Sequence, residues 1–337
     1  MLANPTLPTI PLWKQAKARL QPQHDPLSPI VHIVITEKDN LVLAGDLLPD
    51  PARSVVAVLP PADGPGAWAG GPSAVLDGDD VVLAYRLRRP VGQGRGFAVV
   101  IARSPDGETF MPVQVITKEE MDAESLERPV LTVTADGTWR LYLSCATTGT
   151  KHWRVEVLEA AAPGEFDARR RAVVLPGDEA RAVKDPVIRR DGDRWHMWAC
   201  IHPLTDPDHT DRMWSEYATS ADGLDWSWHG PALEPRPGQW DSRGVRVSEV
   251  RLGPDGVVAY YDGRASAAEN FEERTGIAVG SAPGVLTAVG SGPAAQSAVA
   301  GHGLRYLNIL PLRSGRTRLY YEITRPDGAH ELRTELR

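Results

Sequence analysis

"VKDPVIRRDGDRWHMWACIHPL", residues 183–204, decides the fold. A charged Lys184-Asp185 pair stands before Pro186, a short apolar step follows, and a polar turn leads to Gly192. The aromatic run Trp195, His196, Met197, Trp198 comes next. The layout reads as two β-strands joined by a tight turn. A carboxylate at the entrance of a buried strand has two readings: a turn residue that is acidic, or a group aimed into a site.

The same layout recurs at "GGPSAVLDGDDVVLAYR" (70–86), "ERPVLTVTADGTWRLYLS" (127–144), "VSEVRLGPDGVVAYYDG" (247–263) and "RYLNILPLRSGRTRLYYE" (305–322). Pro72, Pro129 and Pro186 are each 57 residues apart, and the turn glycines Gly192, Gly256 and Gly315 continue at 64 and 59. Such a period is too long for a helical solenoid unit and suits a four-stranded sheet with generous loops. Each unit runs on into a third strand. Two of these carry the hairpin Ser-x-Asp-Gly-x-x-aromatic, at Ser104–Phe110 and Ser220–Trp226. Asp-Gly favours hairpins because glycine accepts the positive φ that the turn requires. The pattern predicts an all-β chain, a five-bladed β-propeller.

The last unit reaches Arg337 after about three strands. An open edge is a liability, so ring closure calls for a strand from elsewhere. The apolar runs "IVHIVIT" (30–36) and "SVVAVLP" (54–60) are free to supply it. An N-terminal strand is therefore expected to pair with the C-terminal blade. Residues 1–27 read as an N-terminal extension and residues 28–337 as a single propeller domain.

Of 337 residues, 42% are hydrophobic and 24% charged, enough for a large core in a soluble chain. A net charge of −7 argues against a nucleic-acid partner or an anionic membrane surface. Cys145 and Cys200 are too few for a disulfide framework or zinc cluster and read as buried free thiols. Prolines and charges interrupt the N-terminal apolar residues, so no signal peptide is read and a cytoplasmic location is expected. No phosphate loop, zinc-binding HExxH or nucleophile elbow is present, and no cofactor or metal is expected. The His- and Asp-rich stretch 202–211 reads as a solvated loop. Oligomeric state is left open.

The first strand of each propeller blade lines the central channel, so the strand entrances converge. They carry Gly70-Gly71, Glu127-Arg128, Lys184-Asp185, Arg246 with Glu249, and His302 with Arg305. Convergent ionisable groups in a concavity mark a candidate site. Arg128, Arg243, Arg246 and Arg305 exceed what a neutral sugar requires and suit a carboxylate or phosphate on the ligand. Trp68, Trp240 and Tyr306 stand beside the entrances, placed to stack on a sugar ring or other flat ligand.

The five-unit layout, "KDP" entering unit three and "GHG" (301–303) entering unit five resemble the five-bladed propellers of glycoside hydrolase families 43, 32 and 68. The resemblance covers residues 65–337. It implies three axial carboxylates: a base or nucleophile in blade one, an Asp-Pro aspartate that orients substrate, and a glutamate acting as general acid. Asp185 occupies the middle position. Gly71 stands where the blade-one aspartate belongs. In the acid region, "WDSRGVRVSEV", the nearest acids are Asp241 and Glu249. Glu127 can substitute if it points inward. His302 matches a histidine that some relatives direct at an axial cation or water; a hydrogen-bonding role is the other reading.

Glycoside cleavage needs an acid to protonate the leaving oxygen and a second carboxylate as base or nucleophile. The expected function is a glycoside-hydrolase-like enzyme acting on a glycoside or sugar-like small molecule, neutral or anionic, at a central axial site through carboxylate acid/base chemistry. Asp185, Glu249 and Glu127 are the candidate catalytic residues. Arg128, Lys184, Arg243, Arg246, His302, Arg305, Trp68, Trp240 and Tyr306 are the candidate binding residues. The alternatives are a diverged propeller that binds without hydrolysis, or a lyase or cyclase of secondary metabolism.

Overall fold

The computed structural model describes residues 45–254 and 256–337. The extension at 1–27 and the run at 30–36 lie outside the described residues.

Alternating apolar runs and glycine turns fold into twenty strands among the described residues. β1 (Val55–Val58) is followed by β2 (Trp68–Asp77), β3 (Asp80–Arg88), β4 (Gly96–Ser104) and β5 (Met111–Thr117). Next come β6 (Leu126–Val133), β7 (Trp139–Ala146), β8 (Trp153–Ala160) and β9 (Ala172–Leu175). β10 (Arg181–Asp191), β11 (Arg194–Pro203), β12 (Trp214–Ser220) and β13 (Ser227–Leu233) form the third set. β14 (Gly244–Gly253), β15 (Gly256–Arg264), β16 (Arg274–Ala282) and β17 (Val285–Val289) form the fourth. The chain ends with β18 (Leu304–Pro311), β19 (Thr317–Thr324) and β20 (His330–Leu336).

Each set of four is an antiparallel meander in chain order. β18, β19 and β20 gain their fourth strand from β1, with Val55 opposite Thr334 and Val56 opposite Arg333. A single parallel pairing, Trp68 with His330, ties β20 to β2. The apolar core lies between consecutive sheets. Val82, Ile101, Leu141 and Leu143 join the first two sheets, and Leu83 and Val100 meet Leu310 and Tyr320 of the last. The all-β arrangement is propeller-like. The second-strand aromatics Tyr142, Trp198, Tyr260, Tyr261, Tyr320 and Tyr321 are fully buried within it.

The repeated hairpin fastens neighbouring sheets. Ser104 Oγ accepts from Gly107 N at 2.8 Å, and Asp106 Oδ1 accepts from Glu108 N and Thr109 N. Ser220 and Asp222 make the same bonds in the third sheet. The turn carbonyls Gly107 O and Gly223 O then accept the phenols of Tyr320 and Tyr142, both at 2.9 Å. Glycine is required at both turns. φ is 72° and 78°, and a Cβ would lie 2.7 Å from Arg318 at Gly107 and 2.8 Å from Arg140 at Gly223.

Candidate functional site

β2, β6, β10, β14 and β18 all break register near their starts: between Gly70 and Ser73, Glu127 and Pro129, Lys184 and Val187, Val247 and Glu249, and Arg305 and Asn308. Each break leaves one extra residue on the inner strand, a bulge that re-aims the side chains around it. Gly71, Asp185 and Tyr306 take left-handed backbone there, with φ of 62°, 50° and 56°.

These starts converge on a cavity of about 220 Å³ lined by Trp68, Glu127, Lys184, Arg246, Arg305 and Tyr306. Arg86, Arg88, Arg264, Phe271 and Glu273 also line it, together with the more exposed Arg95, Lys151 and Asp211. A wider groove of about 460 Å³ runs beside Arg140, Arg190 and Trp195. The strand entrances and the dense ion-pair network are at the smaller cavity.

The cavity floor is a lattice of ion pairs. Glu127 accepts from Arg86 at 2.5 Å and Arg88 at 2.6 Å. Arg86 also reaches Glu322 at 2.6 Å. Arg305 bridges Glu322 and Glu273, both at 2.6 Å, and Arg264 pairs with Glu273. Arg246 donates to Asp262 at 2.9 Å and Asp185 at 3.2 Å. His330 stands between two carboxylates, 2.7 Å from Glu322 and 3.1 Å from Glu272.

Electrostatics sorts these acids by role. Burial pushes the Glu127 carboxyl up, but Arg86, Lys184 and Arg88 together hold it well below the usual carboxylate range. Glu273 and Glu322 are likewise held low against burial, chiefly by Arg305, with Arg264 assisting at Glu273 and Arg86 at Glu322. Asp262 differs: burial raises it despite Arg246. Glu127 is ionised and at the cavity wall, with Arg86 on one carboxylate oxygen and Arg88 on the other. Asp262 has the character of an acid, but its oxygens already accept Arg246 and the Tyr306 amide.

Asp185 is fully buried. Its Oδ2 takes Arg246 at 3.2 Å, the Tyr306 phenol at 3.2 Å and Lys184 at 3.4 Å, while Oδ1 has no partner. Arg128 passes beneath the floor and donates to the Ser248 carbonyl at 2.6 Å, leaving Nε and Nη1 unpartnered. The rings of Trp68 and Tyr306 face guanidinium groups, Arg88 at 4.3 Å and Arg246 at 3.9 Å.

Six of the candidate residues do not line the cavity, Asp185 and Arg128 among them. Glu249 turns between sheets, accepting from Arg189, from Asn308 Nδ2 at 3.2 Å and from Ile309 N at 2.8 Å. Arg243 pairs with Asp211 at 2.6 Å. His302 sets Nδ1 against the Ser297 carbonyl at 3.0 Å. Trp240 stacks on Tyr261 at 5.7 Å. Among the described residues no group of three or more His, Cys, Asp or Glu is arranged to hold a metal ion.

The sequence reading missed Arg86, Arg88, Arg264, Asp262, Glu322, Glu273 and Phe271. Most come from the far ends of second strands, antiparallel to the entrances: Arg86 opposite Gly70, Asp262 opposite Arg246, Glu322 opposite Arg305. A charge directly after a buried tyrosine, as in Tyr85-Arg86, Tyr261-Asp262 and Tyr321-Glu322, was the available signal.

No protein-family model matches the chain, and no curated protein matches its sequence. Solved structures do match. A member of the GH130 family of mannoside phosphorylases, which contains glycoside hydrolases that target β-1,2-mannosidic linkages in Candida mannan, aligns with a TM-score of 0.60. Identity is 17%, over 86% of this chain and 95% of that one. A further glycoside hydrolase aligns with a TM-score of 0.67 at 11% identity, over 90% of this chain and 95% of its own. A thermostable family-43 glycoside hydrolase aligns with a TM-score of 0.61 at 13% identity, over 83% and 91%. The chain shares the fold of these glycoside hydrolases.

Proposed function

We propose that residues 28–337 form a single five-bladed β-propeller closed by N-terminal β1 on the C-terminal blade. In this reading it is a glycoside-hydrolase-like enzyme acting on a sugar-like small molecule in the axial cavity. The observation that carries the proposal is the convergence of five strand entrances on one cavity walled by an ionised Glu127. Glu127 serves as base or nucleophile. Asp185 orients the cavity through Arg246, Lys184 and Tyr306. The positive lining suits a substrate that carries an anionic group.

A second reading, a propeller that binds this ligand without cleaving it, is favoured by Gly71 in place of a blade-one carboxylate. It is favoured too by the saturation of Glu127, Glu273 and Glu322 with arginine. Release of chromophore from a panel of neutral and acidic aryl glycosides separates the two. Turnover that disappears in Glu127→Gln supports the enzyme. Thermal stabilisation by free sugar acids with no turnover supports the binder, and neither response removes both.

A further inference from the structure

Buried cations in this cavity differ in how much hydrogen-bonding capacity they have left. Arg305 is held by Glu273 and Glu322, and Arg246 by Asp262 and Asp185. Arg264 is held by Glu273 and the Asp211 carbonyl, and Arg86 by Glu127 and Glu322. Each of these guanidiniums spends two arms on acceptors already in place, although Nε of Arg86 and of Arg264, like that of Arg88, is buried without a partner.

Arg88 and Lys184 are different. Arg88 commits one nitrogen, Nη1, to Glu127, and its Nε is buried without a partner although the residue is 3% exposed. Lys184 has Asp185 as its nearest carboxylate, at 3.4 Å, and its ammonium lies over the Trp153 ring at 4.3 Å. Both line the cavity together with Glu127, whose charge Arg86 and Arg88 already neutralise. Arg128 also keeps free donors, but it does not line the cavity. A buried cation with unfilled donors carries a desolvation cost that an entering anion relieves.

We propose that Arg88 and Lys184 form the seat for an anionic group of the ligand, a carboxylate or a phosphate. The ligand class is then a sugar acid or a sugar phosphate, with the anion fixed beside Glu127. Arg88 supplies a planar fork for two oxygens and Lys184 a compact point charge. The proposal rests on the reading of the axial cavity as the ligand site, but it does not require that the ligand be cleaved.

Calorimetric titration of the full chain at constant ionic strength tests it, with inorganic phosphate, glucuronate, glucose 6-phosphate and glucose as probes. Phosphate and at least one charged sugar are expected to bind, the charged sugar about tenfold or more tighter than glucose. Lys184→Met and Arg88→Gln should each weaken the anions about tenfold and leave glucose within about twofold. Arg88→Lys, which keeps the charge, should restore part of the phosphate affinity and stands in if Arg88→Gln fails to fold. Arg169→Gln, on an exposed side chain, should change nothing. Tighter binding of glucuronate than of glucose 6-phosphate assigns a carboxylate, and the reverse assigns a phosphate. Anion binding without cleavage of any aryl glycoside sinks the hydrolase and leaves the seat standing. Wild-type chain that ignores phosphate at on the order of 10 mM, or variants that bind it equally well, would overturn the seat.

Discussion

Gly71 and Asp185 occupy the same bulged place in β2 and β10, each in left-handed backbone and each followed by proline. In β10 the carboxylate gathers Arg246, Lys184 and Tyr306. In β2 there is no side chain, and the neighbouring Arg128 is left without a carboxylate. Among the described buried cations it alone has none within ion-pair distance.

Gly71→Ala should cost about 1–2 kcal/mol, the strain of placing a Cβ at positive φ. The new Cβ would lie 3.3 Å from the Arg128 Cα. Gly71→Asp should cost less than Ala, because aspartate tolerates this conformation and brings a charge to Arg128. Urea unfolding of both variants decides the order; an Asp variant weaker than Ala contradicts the pairing.

Stability should fall with acid in two stages. Burial, aided by Lys184, depresses His202 to about 4 from 6.5. Between those values the unfolded chain takes up a proton that the folded chain does not, so stability is lost as pH falls through that window, on the order of 3 kcal/mol. His196 shifts the same way. Glu127, Glu273 and Glu322, all depressed when folded, contribute fully above the unfolded carboxylate value of about 4.3 and lose that contribution below it. Asp262, raised by burial, opposes them. His202→Gln should remove much of the first stage in urea titrations at about pH 7 and about pH 5. A wild-type stability that is level across that interval rules the assignment out.

The two hairpin latches should be equivalent and independent. Tyr142→Phe and Tyr320→Phe each delete one phenol bond to a turn carbonyl, at about 1 kcal/mol apiece. They share no partner, so the double variant should lose the sum. A large coupling energy would show that the latches act as one unit.

Glu249 should behave as a strut rather than as a reacting group. Glu249→Gln leaves the partly exposed Arg189 beside a neutral amide and should lower stability by about 1–3 kcal/mol, chiefly through the weakened bonds at the buried Glu249 end. Its turnover per folded molecule should stay within about threefold of wild type, about 0.7 kcal/mol in barrier. A loss of several hundredfold in kcat at unchanged fold would return Glu249 to the chemistry.

The sequence made the strand entrances legible because glycine turns and marker prolines repeat with the sheet. Glu127, Lys184, Arg246, Arg305 and Tyr306 are thus placed together by the repeat alone. Arg86, Asp262 and Glu322 were not legible, because their positions depend on the antiparallel register after the bulge. Glu249 shows the same limit from the other side. One bulged residue, Ser248, fixes which way it points, and that direction is toward Ile309 rather than into the cavity.

The ligand should sit in the axial cavity. A crystal structure of the chain soaked with glucuronate tests it most directly. The expected result is a sugar ring against Phe271 and Glu127, with its carboxylate on Arg88 and Lys184. Density confined to the groove beside Trp195, or an axial cavity filled by water alone under saturating sugar, would contradict it.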